Sequence, residues 1–149
     1  MKVLYQSGKE KVYLRFNQLH NFNDETPEPF VSFVFGVELD TNTWYGEKVC
    51  YKAEDAFVMC GDDYEKFLKT LKEQINNYKE TSFEINDCWV NTNAKITIDC
   101  QKSMIVLNGC LGSSLVEGLP VLNFSLRNLD SSFLINLYEA LIENTKFEC

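Results

Sequence analysis

The stretch Gly61–Tyr78, GDDYEKFLKTLKEQINNY, is the clearest helix in the sequence, and we expect the rest of the fold to be arranged around it. Its apolar residues repeat at intervals of three and four, so they form one face of a helix. They are Tyr64, Phe67, Leu68, Leu71, Ile75 and Tyr78. Asp62 is predicted to cap the first turn, and Glu65 three residues later completes a capping box. The apolar face must pack against another element, and the flanking segments are the only large apolar partners.

Those flanking segments alternate polar and apolar residues with the period of a β-strand. Before the helix, four strands are predicted, at 11–17, 30–37, 44–51 and 54–60, and residues 1–5 are long enough for a further short one. After it the predicted strands are 81–86, 94–100, 103–107 and 119–127. Phe30–Val37, FVSFVFGV, is apolar almost throughout, so we expect a central strand that is covered on both faces. Two breaker-rich connections are also predicted, a surface loop at Leu19–Pro29 and a mobile Gly/Ser-rich segment at Asn108–Gly118.

A second amphipathic helix is predicted at the C-terminal end, with Asp130 as its N-cap. Its apolar face comprises Phe133, Leu134, Leu137, Tyr138, Leu141 and Ile142. The connections between the strands are too short for parallel crossovers, so the sheet should be antiparallel. The sequence therefore predicts one α+β domain over residues 1–149. It has an antiparallel sheet of about seven to eight strands and two helices, about 61–79 and 130–144, packed on one side.

Composition excludes several classes of function. The 14 basic and 22 acidic residues give a net charge of −8, which argues against a general nucleic-acid binder. Residues 1–20 lack a signal-peptide pattern, and no apolar run approaches the length of a membrane span. The six cysteines form no C-x-x-C pair, so neither a zinc ribbon nor a redox motif is indicated. We therefore expect a cytoplasmic protein with reduced thiols and no contact with a membrane.

No catalytic motif is present in the sequence. The single histidine, His20, stands beside Asp24 and Glu25, and we interpret it as a loop residue because no second histidine is available for a metal site or a triad. The acidic pair Asp62–Asp63 is explained by its place at the start of a helix. We therefore predict no enzyme activity, no catalytic residue, no metal and no cofactor.

Charge and aromatic residues are concentrated in the middle of the chain. Residues 31–90 hold twelve acids and six lysines, together with Trp44, Tyr45, Tyr51 and Trp89. Aromatic anchors surrounded by charge of one sign are typical of protein-binding surfaces. In the alternative interpretation, the aromatic rings belong to the core and the acids only solvate turns. The predicted partner-binding residues are Glu38, Asp40, Trp44, Tyr45, Glu47, Glu54, Asp55, Glu84 and Asp87.

The order of several segments resembles a known family. These segments are TWYGEKV (43–49), AEDAFV (53–58), DDYEKFLKTL (62–71) and FSLRNLDSSFLINLYEAL (124–141). In this order they are similar to small bacterial immunity proteins of polymorphic and contact-dependent toxin systems, particularly the family named for the immunity partner of the wall-associated toxin WapA. The resemblance implies a cytoplasmic, non-enzymatic protein that binds a toxin, often a basic nuclease. It provides no binding residues that can be transferred by position.

Three functions therefore follow from the sequence. The first is an immunity protein that blocks the active site of a cognate toxin, with its acids steering the encounter. The second is an enzyme or a small-ligand carrier with a pocket between sheet and helices, which we expect to be lined by Trp44 or Trp89. The third is an acidic mimic of nucleic acid, with carboxylates at a regular, phosphate-like spacing.

Overall fold

A computed structural model describes residues 1–16, 29–42, 44–85, 94–112 and 121–147. Its elements are β1 (Lys2–Ser7), β2 (Glu10–Arg15), β3 (Pro29–Asn42), β4 (Lys48–Cys60), α1 (Gly61–Asn76), β5 (Thr81–Ile85), β6 (Lys95–Cys100), β7 (Ile105–Gly112), β8 (Val121–Leu129), α2 (Ser131–Glu143) and β9 (Lys146–Phe147). The predicted α+β class is confirmed.

The strands form two antiparallel sheets rather than one. The first sheet has the order β1-β2-β3-β4, and the short β9 pairs with β3. The second has the order β5-β6-β7-β8. Helix α1 separates β4 from β5 along the chain, so the antiparallel meander stops there and a new one begins. Both helices pack against the first sheet and against each other, α1 on β3 and β4 and α2 on β1.

Apolar side chains from both sheets and both helices form one hydrophobic cluster. Strand β3 runs through it, with Val31, Phe33, Phe35 and Val37 on the core face. The intervening residues 32, 34 and 36 point the other way and are buried as well. The prediction of a central strand covered on both faces is confirmed.

The predicted division of residues 44–60 into two strands is wrong. The structure has one continuous strand, β4, and β3 extends beyond its predicted end at Val37 as far as Asn42. Lys52, which lies between the two predicted strands, is on the outer face of the sheet and forms ion pairs with both Glu38 and Glu54. Because these ion pairs give the charged side chains partners within the sheet, the β3–β4 ladder continues through Lys52 without a turn. Trp44, predicted on a strand, lies in the turn between β3 and β4.

The helices agree with their predicted positions apart from their ends. Helix α1 ends at Asn76, earlier than predicted, because the Gln74 side chain binds the backbone of Lys79 and turns the chain. Asp130 caps α2 as expected, and its carboxylate accepts a hydrogen bond from the Ser132 backbone N–H at 3.0 Å. Ile142 was predicted on the buried face but is 47% exposed, because it is one residue, about 100° of helix, beyond the buried Leu141.

Part of the predicted mobile connection is a strand, because residues 108–112 belong to β7. Several other predicted features lie outside the described residues. They are the predicted loop 19–29, which includes His20, except for its last residue, Pro29. Asp87 and Trp89 also lie outside the described residues. Within the described part of the chain, Cys50, Cys100 and Cys110 are free thiols. None of the described helices has the length and apolar character needed to cross a membrane.

Candidate functional site: the hairpin arm

The β3–β4 hairpin extends past the end of β2. The β2–β3 ladder stops at the pair Lys11–Glu38, whereas the β3–β4 ladder continues through four more pairs to Asn42–Lys48. We call residues 39–51 the hairpin arm. It is a two-stranded ribbon that extends about 13 Å past the last β2 pair, at the usual rise of a strand. Its turn is therefore well placed to reach another molecule.

Two aromatic side chains stand at the tip of the arm. Trp44 is 94% exposed and Tyr45 is 60% exposed. Their rings contact edge to face, with centroids 5.2 Å apart. Gly46 has a φ of +85°, a left-handed conformation that glycine adopts without strain and that closes the turn. The alternative in which Trp44 belongs to the core is wrong.

Charged side chains form a connected row on the outer face of the first sheet. Glu38 lies 3.6 Å from the Lys11 ammonium and 3.8 Å from that of Lys52. Lys52 also lies 3.5 Å from Glu54. Arg15 donates to the same Glu54 oxygen from Nε at 2.9 Å and from Nη2 at 2.5 Å. The predicted binding residues Glu38 and Glu54 are therefore on one face, and both are paired with cations.

Tyr13 joins this row by crossing the sheet over Gly36. A Cβ at Gly36 would lie 2.3 Å from the Tyr13 ring, so only glycine allows the ring to pass. The Tyr13 hydroxyl then donates to Glu54 at 2.8 Å. Burial, followed by the contact with Glu54, raises the pKa of Tyr13. Burial alone would raise the pKa of Glu54, but hydrogen bonds from Arg15 and Tyr13 outweigh it and hold that pKa below its usual value.

Asp40 lies on the same outer face, within the arm. Its carboxylate accepts a hydrogen bond from the Cys50 thiol at 2.7 Å and lies 4.0 Å from the Lys9 ammonium. The hydrogen bond to Asp40 raises the pKa of the Cys50 thiol, which favours the protonated form. Cys50 therefore acts here as a hydrogen-bond donor, although it is exposed.

The predicted role of Asp55 at the surface is wrong. Asp55 is 1% exposed and stands opposite Phe35 on the core face of the sheet, where its carboxylate accepts a hydrogen bond from the Ala56 N–H. A residue in this position cannot touch a partner. The burial of Asp55 could have been predicted from the sequence, because Asp55 is two residues from both Ala53 and Phe57 and so shares their face of the strand.

The other predicted acids are divided among different places. Glu47 is exposed next to the aromatic tip. Glu84 lies on β5 of the second sheet, where it pairs with Lys95 at 3.1 Å. Asp87 is outside the described residues. The structure therefore gathers Glu38, Asp40, Glu47, Glu54 and the two tip aromatics on one hairpin and leaves Glu84 elsewhere.

The outer face of the first sheet is not acidic. The connected row and the separate Lys9–Asp40 pair together hold Lys9, Lys11, Arg15 and Lys52 against only Glu38, Asp40 and Glu54. The described residues as a whole contain all 14 basic side chains and 16 of the 22 acidic ones, so 14 minus 16 leaves −2 of the net −8. The prediction overlooked these cations. Alternation along β2 could have identified Lys11 and Arg15, which share a face with Tyr13.

A groove of about 480 Å³ lies at the base of the arm. It is lined by Gln6, Gly8, Lys9, Lys11, Glu38, Leu39, Asp40, Cys50, Tyr51 and Lys52. Trp44, which the pocket hypothesis placed in such a site, is not among these residues. Within the described ranges, no group of three or more His, Cys, Asp or Glu side chains is placed to hold a metal ion.

Comparisons with known proteins add no relatives. No protein-family model matches the chain, and neither curated proteins nor solved structures give a significant match.

Proposed function

We propose that this protein is a binding protein of the immunity type, which neutralises a bacterial toxin by placing the hairpin arm in the toxin's active site or substrate groove. The exposure of Trp44 and Tyr45 at the tip carries the proposal. Aromatic side chains bury about 150–250 Å² each when they are covered. Leaving both in water at the end of a ribbon is costly unless a partner covers them.

The shape of the arm favours blocking by insertion. A two-stranded ribbon with rings at its turn is narrow enough to enter a cleft, and aromatic anchors in a pocket commonly dominate binding energy. Because the acids at its base are paired with lysines, the described surface gives no reason for a strongly basic partner. Steric exclusion of substrate is therefore the principal mechanism that we propose.

The acidic-mimic hypothesis has less support. Carboxylates on the outer face alternate with ammonium groups, as in Lys11, Glu38 and Lys52, whereas a nucleic-acid mimic needs a row of negative charge alone. The immunity function itself rests on the resemblance of the segments described above together with the exposed tip.

The test uses the tagged protein as bait in a lysate of its own organism, followed by mass spectrometry of what it retains. We expect a toxin domain whose activity is inhibited by the purified protein. The double variant Trp44→Ala/Tyr45→Ala should weaken that inhibition at least about thirtyfold, because truncating such an anchor typically costs about 2 kcal/mol or more.

The matched control is Val121→Ala/Ile142→Ala, which removes exposed apolar side chains from β8 and α2 (48% and 47% exposed). It should inhibit as the unmodified protein does. Equal inhibition by the tip variant and this control would exclude the arm as the inhibitory element. Capture of a protein whose activity is unaffected by binding would refute the immunity function.

A further inference from the structure

Strand β4 is an edge of the first sheet, and within the described residues no strand pairs with its far side. The Ala56 N–H points to that side, because it donates to the Asp55 carboxylate at 2.9 Å instead of to β3. Backbone groups of an antiparallel strand point alternately to its two sides. Four more residues of β4 therefore direct their N–H and C=O groups to the open side: Lys48, Cys50, Lys52 and Glu54.

These backbone groups have no partner in the described part of the chain. The backbone hydrogen bonds outside the regular helices and strands lie at turns and helix ends, and none of them reaches residues 48–54. An open strand edge of this kind is a template for pairing with another chain. Charged side chains along an edge exclude most partners, so the charges of β4 decide which strand it accepts.

The charges of this edge fit a second copy of the same strand. Two antiparallel copies centred on Tyr51 place Lys48 of each copy opposite Glu54 of the other, because both lie three residues from the centre. Lys48 is exposed and forms no ion pair within the described ranges. A pairing centred on Cys50 would place Lys48 opposite Lys52, and one centred on Lys52 would place Lys52 opposite itself. Of these three registers, the one centred on Tyr51 joins opposite charges.

The core-side face of the arm has apolar surface available for the same contact. Tyr51 is 46% exposed, and Val49 on the same face is half-buried. In this register Tyr51 meets Tyr51 of the second copy, and Val49 meets Ala53. Because their own backbone groups point to β3, these are non-hydrogen-bonded pairs, in which the side chains of antiparallel strands lie closest. Pairing therefore covers an aromatic ring that a single chain leaves in water.

We propose that two copies of this chain pair through residues 48–54 of β4, antiparallel and about a two-fold axis at Tyr51. The first sheets of the two copies then form one continuous sheet. The contact is isologous and closed, so no third copy adds at this edge. Its small size predicts weak association, with Kd on the order of 10–100 μM. Trp44 and Tyr45 lie outside the paired segment, and the dimer does not rest on the immunity function.

Sedimentation equilibrium of the whole chain in reducing buffer, from about 5 to about 500 μM, measures this association. We expect the mass to rise with concentration from the 17.3 kDa of the monomer toward twice that value. Lys48→Glu should weaken dimerisation at least tenfold, because it places a carboxylate opposite that of Glu54. Lys66→Glu makes the same change of charge on the exposed side of α1 and should leave Kd within twofold. Circular dichroism shows whether each variant is folded.

Disulfide formation tests the register. Cys50→Ser/Tyr51→Cys places a thiol at the two-fold axis, where directly opposed residues of antiparallel strands are close enough for a disulfide. Oxidised glutathione should therefore convert this variant to a covalent dimer. Cys50→Ser/Tyr45→Cys carries its thiol at the tip of the same arm, away from the axis, and should stay monomeric under the same conditions. Both variants keep the other cysteines of the chain, so those thiols cannot explain a difference.

Three results would overturn the proposal. A constant monomer mass over the whole concentration range would exclude the second copy and leave this edge to a strand of another protein. Equal Kd values for the two lysine variants would remove the contact between Lys48 and Glu54. Equal cross-linking of the two cysteine variants would exclude the register centred on Tyr51. Because no toxin is used, none of these results bears on the immunity function, and a failed toxin assay does not bear on the dimer.

Discussion

At the scale of single residues, one contact organises the outer face of the first sheet. Because Gly36 has no side chain, the Tyr13 ring can lie over it. The Tyr13 hydroxyl therefore reaches Glu54 on β4, the strand beyond β3. Arg15 approaches the same carboxylate from the side. Two residues of β2 therefore bind one carboxylate on β4, although they are 39 and 41 positions from Glu54 in sequence. These contacts link β2 to β4 across the intervening strand β3.

Replacing Glu54 tests this contact through its pH dependence. The folded-state pKa of Glu54 lies below its usual value near 4.5, so the stabilisation is complete above that value and is lost as pH falls through the folded pKa. Glu54→Gln should lower the free energy of unfolding by about 1 kcal/mol at pH 7. The difference between variant and unmodified protein should shrink below about pH 4.5. Urea denaturation at several pH values measures both quantities.

Glu84→Gln is the matched control, because Glu84 forms an exposed ion pair with Lys95 on the second sheet. It should change stability by less than about 0.5 kcal/mol at pH 7. A constant difference between Glu54→Gln and the unmodified protein from pH 7 to pH 3 would show that the charge of Glu54 is not what stabilises the contact.

At the scale of elements, α1 shows how a polar residue can belong to a buried face. Gln74 is 4% exposed, between the apolar positions Leu71 and Ile75. Its amide accepts from the Lys79 N–H and donates to the Lys79 carbonyl, both at 2.9 Å. These bonds satisfy backbone groups where the helix ends and the chain turns toward β5.

Gln74→Leu should therefore destabilise the protein, although leucine forms helices about as well as glutamine and is more apolar. The substitution leaves two backbone groups of Lys79 without their partner, at a cost of about 1–3 kcal/mol. The change in urea midpoint measures it. Glu73→Gln, on the exposed side of the same turn, should stay within about 0.5 kcal/mol. If Gln74→Leu were as stable as this control, the side-chain cap would contribute nothing to the end of α1.

At the scale of the whole molecule, the arm is separable from the core that supports it. The clustered apolar residues of the hairpin end at Val37 and Ala53, with only the half-buried Leu39 beyond them on β3. The tip therefore contributes exposed surface rather than packing. Its conformation depends on the ladder between β3 and β4.

A shortened arm tests this separation. Replacing Thr41–Val49 with Asn-Gly joins the directly paired residues Asp40 and Cys50 through a two-residue turn. We expect the melting temperature to stay within about 5 °C, because the core is retained. Toxin inhibition should be lost with the tip. Unfolding of this variant would show that the arm supports the core.

The sequence by itself determined the α+β class, both helices, the Asp130 cap and the burial of Val31–Val37. Each of these depends on a local pattern, such as helical periodicity, a capping side chain or an unbroken apolar run. The sequence also placed Trp44 and Tyr45 in the candidate binding surface. It could have placed Asp55 on the apolar face as well, because strand alternation is local.

Only the tertiary structure decided the rest. The division into two sheets depends on which strands pair, and a local pattern does not specify a partner. Lys52 lies between two predicted strands until β3 brings Glu38 beside it, and the contacts of Glu54 depend on Tyr13 and Arg15 of β2. For the same reason, an acidic stretch of sequence became a face with more cations than carboxylates. Charge in a protein surface is summed over neighbours in space, and those neighbours come from strands distant in the chain.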